Sequence, residues 1–277
     1  MLKTNMPHAE FTVRPNMEFV VSPKAIKSYT PVMARDDKTD ENTISILDFI
    51  GEDFMGEGVT SKRIHAALRR IGDNPVNVLV NSPGGSYFEG LAIYNLLREH
   101  KQKVTVEIVG LAASAASVIA MAGDEIKIAR AGFIMIHNTW LVSVGDRHDL
   151  RELSDTMEMF DEVASEIYAA KTGHSMADVA TMMDRETWLS GKAATDQGFA
   201  DSNLDSDAKV SQVYEQPIMN RLRQIDAKLA KAGIPRNERR DMFREIKQDT
   251  QDAALQGKQD AAFDDVGKRL LTLAENL

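Results

Sequence analysis

The sequence holds no cysteine in 277 residues, which removes disulfide scaffolds and thiolate-ligated zinc or iron–sulfur centres from consideration. It has no apolar run long enough to span a bilayer: the longest, near Leu111 to Ala122, is short and interrupted by Ser114 and Ser117. The N-terminus lacks the basic-then-apolar pattern of a secretory signal, so a cytoplasmic location and no membrane partner are expected. A basic surplus is missing too. With 42 acidic against 33 basic side chains the formal charge is −9, which argues against nucleic acid as the main partner. What is present suffices for a folded core. Hydrophobic residues make up 43% of the chain, well above the range of disordered sequences, and the length suits one or two domains that need no metal or crosslink for stability.

Charge and proline divide the chain into three. Residues 1–42 form an irregular N-terminal segment in which Pro7, Pro15, Pro23 and Pro31 break any long element. From Lys209 to Leu277 there are 13 basic and 11 acidic residues, a local charge of +2, which leaves −11 on the first 208. The polar stretch DSDAKVSQVYEQP separates the two parts, so the expected domains are 43–204 and a helical C-terminal extension over 205–277. In that extension Ile218, Leu222, Ile225 and Leu229 are spaced four, three and four apart, and Phe263, Val266, Leu270 and Leu273 are related by steps of three and four. Each set predicts an apolar stripe on a helix, with Gly233, Pro235 and Gly257 separating three helices.

Between the ends, periods of two and 3.6 residues alternate. ISILDFIG (44–51), VNVLVN (76–81) and KVTVEIVG (103–110) read as strands, with helices over 61–72 and 89–100 between them. A small-residue helix from about Ala113 to Met121, two short strands in EIKIA and FIMIH, and a long helix over 147–171 follow. Strand and helix alternating at this interval predict an α/β core of βαβ crossovers.

Two segments carry unusual chemistry. Asn81-Ser82-Pro83-Gly84-Gly85-Ser86 follows a buried strand, and its adjacent glycines allow backbone angles and a close approach that bare N–H groups need to hold an oxyanion; the same pattern also makes an ordinary strand-to-helix turn. In GLAASAASVIAMAG (110–123), Ser114 falls where a helix starts, beside free N–H groups and the positive end of the helix dipole. A serine there suits a nucleophile, with the Ala115 N–H helping to hold an oxyanion; alternatively the small residues serve close packing, and Ser117 competes for the role. Of six histidines, His137 stands out as the base a serine requires, because it ends the apolar strand FIMI while the others lie in charge-rich helical or irregular polar stretches. Asp184 and Glu186 in MMDRETWLSG are the carboxylates available to orient it.

NSPGG at 81–85, GLAASAAS at 110–117, MIHN at 135–138 and ETWLSGKAATDQGFAD at 186–201 together resemble the Clp protease proteolytic subunit family, ClpP, and especially its bacteriophage relatives. The resemblance covers about residues 43–202 and implies a ClpP/crotonase-like α/β fold, serine endopeptidase activity without cofactor or metal, and subunits stacked as rings, commonly of seven. It further implies Ser114 as nucleophile in preference to Ser117, His137 as general base, Gly84 and Ala115 as oxyanion donors, and Gly84, Gly85 and Ser86 as the strand that pairs with substrate. The family's acid is usually an aspartate just before an aromatic-Leu-Ser run. Here Glu186 holds that place, with Asp184 as the alternative. Phage relatives imply a head maturation protease that cuts scaffold or capsid precursor inside immature heads, with the C-terminal helices as an assembly arm. The competing readings are a general peptidase fed by an ATP-driven unfoldase and a non-catalytic ring scaffold.

Overall fold

The computed structural model describes residues 18–19, 21–29, 41–52, 58–204 and 217–244. Its centre is a mostly parallel sheet. Strands β2 (Thr43–Ile46), β3 (Val76–Ser82), β4 (Val104–Ala113), β5 (Glu125–Ile128) and β9 (Ser202–Asn203) lie side by side in that order, all parallel. β3 and β4 alternate buried and half-buried residues along their first halves and become buried on both faces further on, the pattern of strands covered by helices.

β4 forks. Its first half, Thr105 to Ile108, pairs with β5, and its last three residues pair with β6 (Phe133–Ile136). The β3–β4 register shifts between Val80 and Ser82, and there the Asn81 side chain accepts the Leu111 N–H at 2.9 Å, satisfying a donor the ladder leaves free. Gly110 leaves room for that side chain: a Cβ there would lie 2.4 Å from Asn81 Oδ1 and force it to shift. β6 in turn pairs antiparallel with β8 (Thr187–Ser190).

Helices α2 (Ser61–Ile71), α3 (Tyr87–Glu99), α4 (Ala115–Ala120), α5 (Arg147–Thr172), α6 (Met176–Asp184) and α7 (Gly191–Asp196) complete this body. Local chemistry sets their ends. Thr60 caps α2 by accepting the Arg63 N–H, and Gly72 closes it at positive φ. Asp146 and Asp149 form a reciprocal capping box at the start of α5, which stops at left-handed Gly173. The main core draws all its buried residues from Ile44 to Ala200.

The terminal segments meet on this body. β1 (Glu18–Phe19) pairs antiparallel with β7 (Leu141–Val142), and α1 (Pro23–Ser28) begins one residue after Ser22, whose hydroxyl accepts the Ala25 N–H. A second apolar cluster joins Val21, Ala25, Ile26 and Tyr29 to Phe49, Leu111, Ala113 and Met135, with Trp188 and Ala227 against it. Ala227 belongs to α8 (Pro217–Lys231), which Gly233 and Pro235 separate from another helical stretch over 236–244. Buried Arg239 holds the two together through Asp226, at 2.8 Å, and the Ile234 carbonyl. The third predicted helix, with Gly257 and the stripe from Phe263 to Leu273, lies outside the described residues.

The strand and helix alternation is as expected, with two corrections. The strand predicted over 44–51 ends at Ile46, because Asp48 turns back onto the Phe49 N–H at 2.8 Å and Gly51 takes a φ of 92°. The helix predicted from Ala113 starts at Ala115, because Ala113 still belongs to β4, opposite Met135. Among the described residues no helix is long and apolar enough to cross a membrane.

Candidate active site

Three adjacent strands bring their C-terminal ends together, the place where open parallel sheets hold ligands. β3 runs into Gly84, β4 into Ser114 and β6 into His137. The register aligns them: Ser82 pairs with Ala112, Ala113 with Met135, and the Ser114 N–H donates to the Met135 carbonyl at 2.9 Å. Antiparallel β8 supplies the fourth group. Ile136 pairs with Thr187, so the next step along both strands sets His137 opposite Glu186.

Ser114 Oγ and His137 Nε2 are 2.8 Å apart. Ser114 holds φ 55° and ψ −127° between strand and helix, a conformation rare for a side chain and costing about 1–3 kcal/mol, of the kind that presents a nucleophile on a sharp turn. Glu186 is the only other described non-glycine residue at positive φ, 49°. Both strained residues stand at the same end of the sheet, Ser114 after β4 and Glu186 before antiparallel β8.

The electrostatics suit proton transfer. Burial pushes the His137 pKa below its ordinary value, with the Glu186 charge pulling partly the other way, so the imidazole is neutral and able to accept a proton at neutral pH. Burial opposes ionisation of Glu186 as well. Hydrogen bonds from Lys24 and Trp188 and the charges of Lys24 and His137 outweigh it and hold the carboxyl below its usual range. Glu186 Oε1 accepts from Trp188 Nε1 at 3.2 Å and faces Lys24 Nζ at 3.0 Å. Asp184 points elsewhere, taking the Asn138 side-chain amide at 2.8 Å.

The glycine loop lies against the serine. A Cβ on Gly84 would fall 2.6 Å from the Ala113 carbonyl oxygen and 2.7 Å from Ser114 Cβ, so no larger residue fits, and its φ of 90° independently favours glycine. Its N–H donates to Ser82 Oγ at 3.2 Å, a long bond that an arriving oxyanion would replace. Ala115 opens α4, where a helix leaves its N–H groups without internal acceptors. Ile50 pairs with Gly85, taking the Ser86 N–H and giving its own N–H to Gly84. That geometry turns the N–H and carbonyl of Gly85 to the opposite edge.

Ser117, the competing serine, is fully buried, and its hydroxyl is engaged by the Ser114 carbonyl at 2.6 Å and the Tyr168 hydroxyl at 2.7 Å. His100 and His174 bind the backbone carbonyls of Asn74 and Gln197, His65 and His148 are exposed, and His8 lies outside the described residues. Lys24, Trp188, Ser82 and Asp161 were not anticipated. Asp161 on α5 takes the Thr139 N–H at 2.6 Å and anchors the chain leaving His137. Trp188 is two residues beyond Glu186, and that spacing along an extended segment is a signal that could have found it; Lys24 sits in a proline-bounded stretch with no such pattern. Among the described residues no group of three or more His, Asp or Glu is arranged to hold a metal ion.

A serine on a strained strand-to-helix turn, bonded to a half-buried imidazole and lying between the Gly84 loop and the N-terminus of α4, is the constellation of serine hydrolases. Residues 39–207 match the family model for Clp protease, more than half the chain. The chain belongs to the Clp protease family of serine-type peptidases. It is 33% identical over 135 residues to ATP-dependent Clp protease proteolytic subunit 3 of Rhodococcus jostii, covering 48% of this chain and 66% of that relative. The Pleurastrum terricola proteolytic subunit is 36% identical over 129 residues, covering 45% and 64%, and subunit 1 of Prochlorococcus marinus 29% identical over 161, covering 55% and 83%. The solved structure of a ClpP1 mutant from Listeria monocytogenes shares the fold, with a TM-score of 0.52 at 22% identity over 60% of this chain and 93% of that one.

Proposed function

We propose that the chain is a serine endopeptidase in which His137 takes the Ser114 proton, Ser114 attacks a peptide carbonyl, and water later releases the acyl-enzyme. The observation that carries this reading is the 2.8 Å bond between Ser114 Oγ and the Nε2 of a half-buried His137 whose pKa desolvation lowers. The N–H groups of Gly84 and Ala115 hold the oxyanion, and within Gly84, Gly85 and Ser86 the N–H and carbonyl of Gly85 offer the main-chain edge for substrate. Glu186, next in register to His137, orients the imidazole; Asp184 is occupied by Asn138. A fluorophosphonate probe is expected to label Ser114, and Ser114→Ala to abolish both labelling and peptide hydrolysis. Undiminished hydrolysis in that variant rules the assignment out.

The finer reading is a head maturation protease that cuts scaffold or capsid precursor, working as a homo-oligomeric ring in host cytoplasm or immature phage heads. Its support is the helical extension over 217–244, which lies beyond the family-matched residues and docks onto α1 beside the site. The second reading, a general peptidase fed by an unfoldase, is favoured by the relatives, which are named as subunits of ATP-dependent proteases. Adding such an unfoldase with ATP separates the two. Faster degradation of folded protein supports the general peptidase; precursor cleavage without ATP supports the maturation enzyme.

A further inference from the structure

β7 begins at Leu141, four residues past His137, so it is a strand edge that the chain forms directly after the base. That edge is taken. Glu18 pairs with Val142 and Phe19 with Leu141, antiparallel, so the chain's own N-terminal segment lies where a peptide would add as a strand. Among the described residues the Phe19 ring packs against three aromatics, 5.2 Å from Phe88 edge-on, 5.9 Å from Tyr87 and 6.2 Å from Phe160. These three form a box without it: Tyr87, Phe88 and Phe160 stand 5.3 to 5.8 Å from one another, and the Tyr87 hydroxyl is anchored on the Phe160 carbonyl at 2.7 Å. Tyr87 and Phe88 directly follow the Gly84–Ser86 loop, so two walls of the box are carried by the residues next to that loop.

The same segment reaches the carboxylate. Five residues beyond Phe19, Lys24 pairs with Glu186 Oε1, the oxygen that also accepts from Trp188. Both contacts are displaceable. A two-residue ladder is weak on its own, and Lys24 is 73% exposed, so its ion pair is screened by water.

We propose that Phe19 and Lys24 act as a built-in competitor of substrate: Phe19 fills an aromatic subsite that takes a large apolar side chain of an extended polypeptide, and Lys24 engages the carboxylate opposite His137 in register. Occupancy of the subsite is a claim about binding. Only its consequence for rate rests on the peptidase reading.

The test uses full-length protein carrying Ser114→Ala, to prevent turnover, and a fluorescein-labelled peptide of sequence RPNMEFVVSP, copied from residues 14–23, followed by anisotropy. Adding Phe19→Ala is expected to tighten peptide binding about tenfold by removing the internal occupant. Adding Lys24→Gln instead, a change to a mostly exposed side chain, is expected to tighten it about two- to fivefold. A peptide with alanine for its phenylalanine should bind none of the proteins. Equal affinity across the variants, weaker binding after either substitution, or indifference to the peptide's phenylalanine would overturn the proposal. Labelling of the protein with Ser114 restored is read separately. A failure of Ser114 to react, with the affinities in the expected order, removes the peptidase reading and leaves the competitor in place.

Discussion

Burial of His137 makes the acid side of the pH profile a test of the site at the scale of single residues. Its pKa lies below the ordinary value of about 6.5, so kcat/KM should fall only as the pH drops past that value, when the imidazole gains its proton. The Glu186 charge is what raises this pKa, so Glu186→Gln should move the acid limb lower still while reducing kcat by about 10²- to 10⁴-fold through poorer orientation of the ring. Asp184→Asn, which alters a carboxylate already bound to Asn138, should leave both within about twofold. An acid limb at or above the ordinary imidazole range, or equal losses from the two substitutions, would contradict the assignment of roles. Ser114 and His137 were legible as residues because a strand end and a helix start are readable from periodicity. Lys24 was not, since an ion pair across 162 positions leaves no local pattern.

At the scale of elements, the site is a consequence of where strands stop. β4 ends in a serine that cannot continue either as strand or as helix, and α4 starts behind it. Gly84→Ala places a Cβ against the Ala113 carbonyl and Ser114 at a positive φ, so a stability loss of about 1–3 kcal/mol is expected in urea unfolding, together with loss of probe labelling. Ser117→Ala removes two buried hydrogen bonds and leaves Tyr168 short of a partner, costing about 1–3 kcal/mol, while labelling of Ser114 in the folded protein persists. Comparable labelling losses in both variants would undo this distinction between Gly84 at the site and Ser117 in the core. The central strands and long helices were readable because each alternates or repeats over many residues. β1, β7 and β9 were not: at two residues each they exist only through their partners.

For the whole molecule, the main core closes within residues 44–200, and the terminal segments add a second, smaller cluster over the site. Deleting residues 205–277 should therefore leave a cooperatively melting protein with the sheet intact, and should loosen α1, which loses its contact with Ala227. A deletion product without a cooperative melt would show that the extension is part of the core. The α/β class, the order of strands and helices in the centre, and the glycine, serine and histidine segments follow from the sequence by itself, because they depend on side-chain period, backbone permissiveness and chemistry carried within a few residues. Only tertiary structure decided that strand register sets Glu186 opposite His137 while Asp184 takes the Asn138 amide, that Ser117 is bonded to Tyr168, and that the chain's own Lys24 pairs with Glu186 and its Phe19 packs on Tyr87 and Phe88. Each of those depends on strand register or on contacts between segments far apart in the chain, and such pairings are set by how the whole core packs.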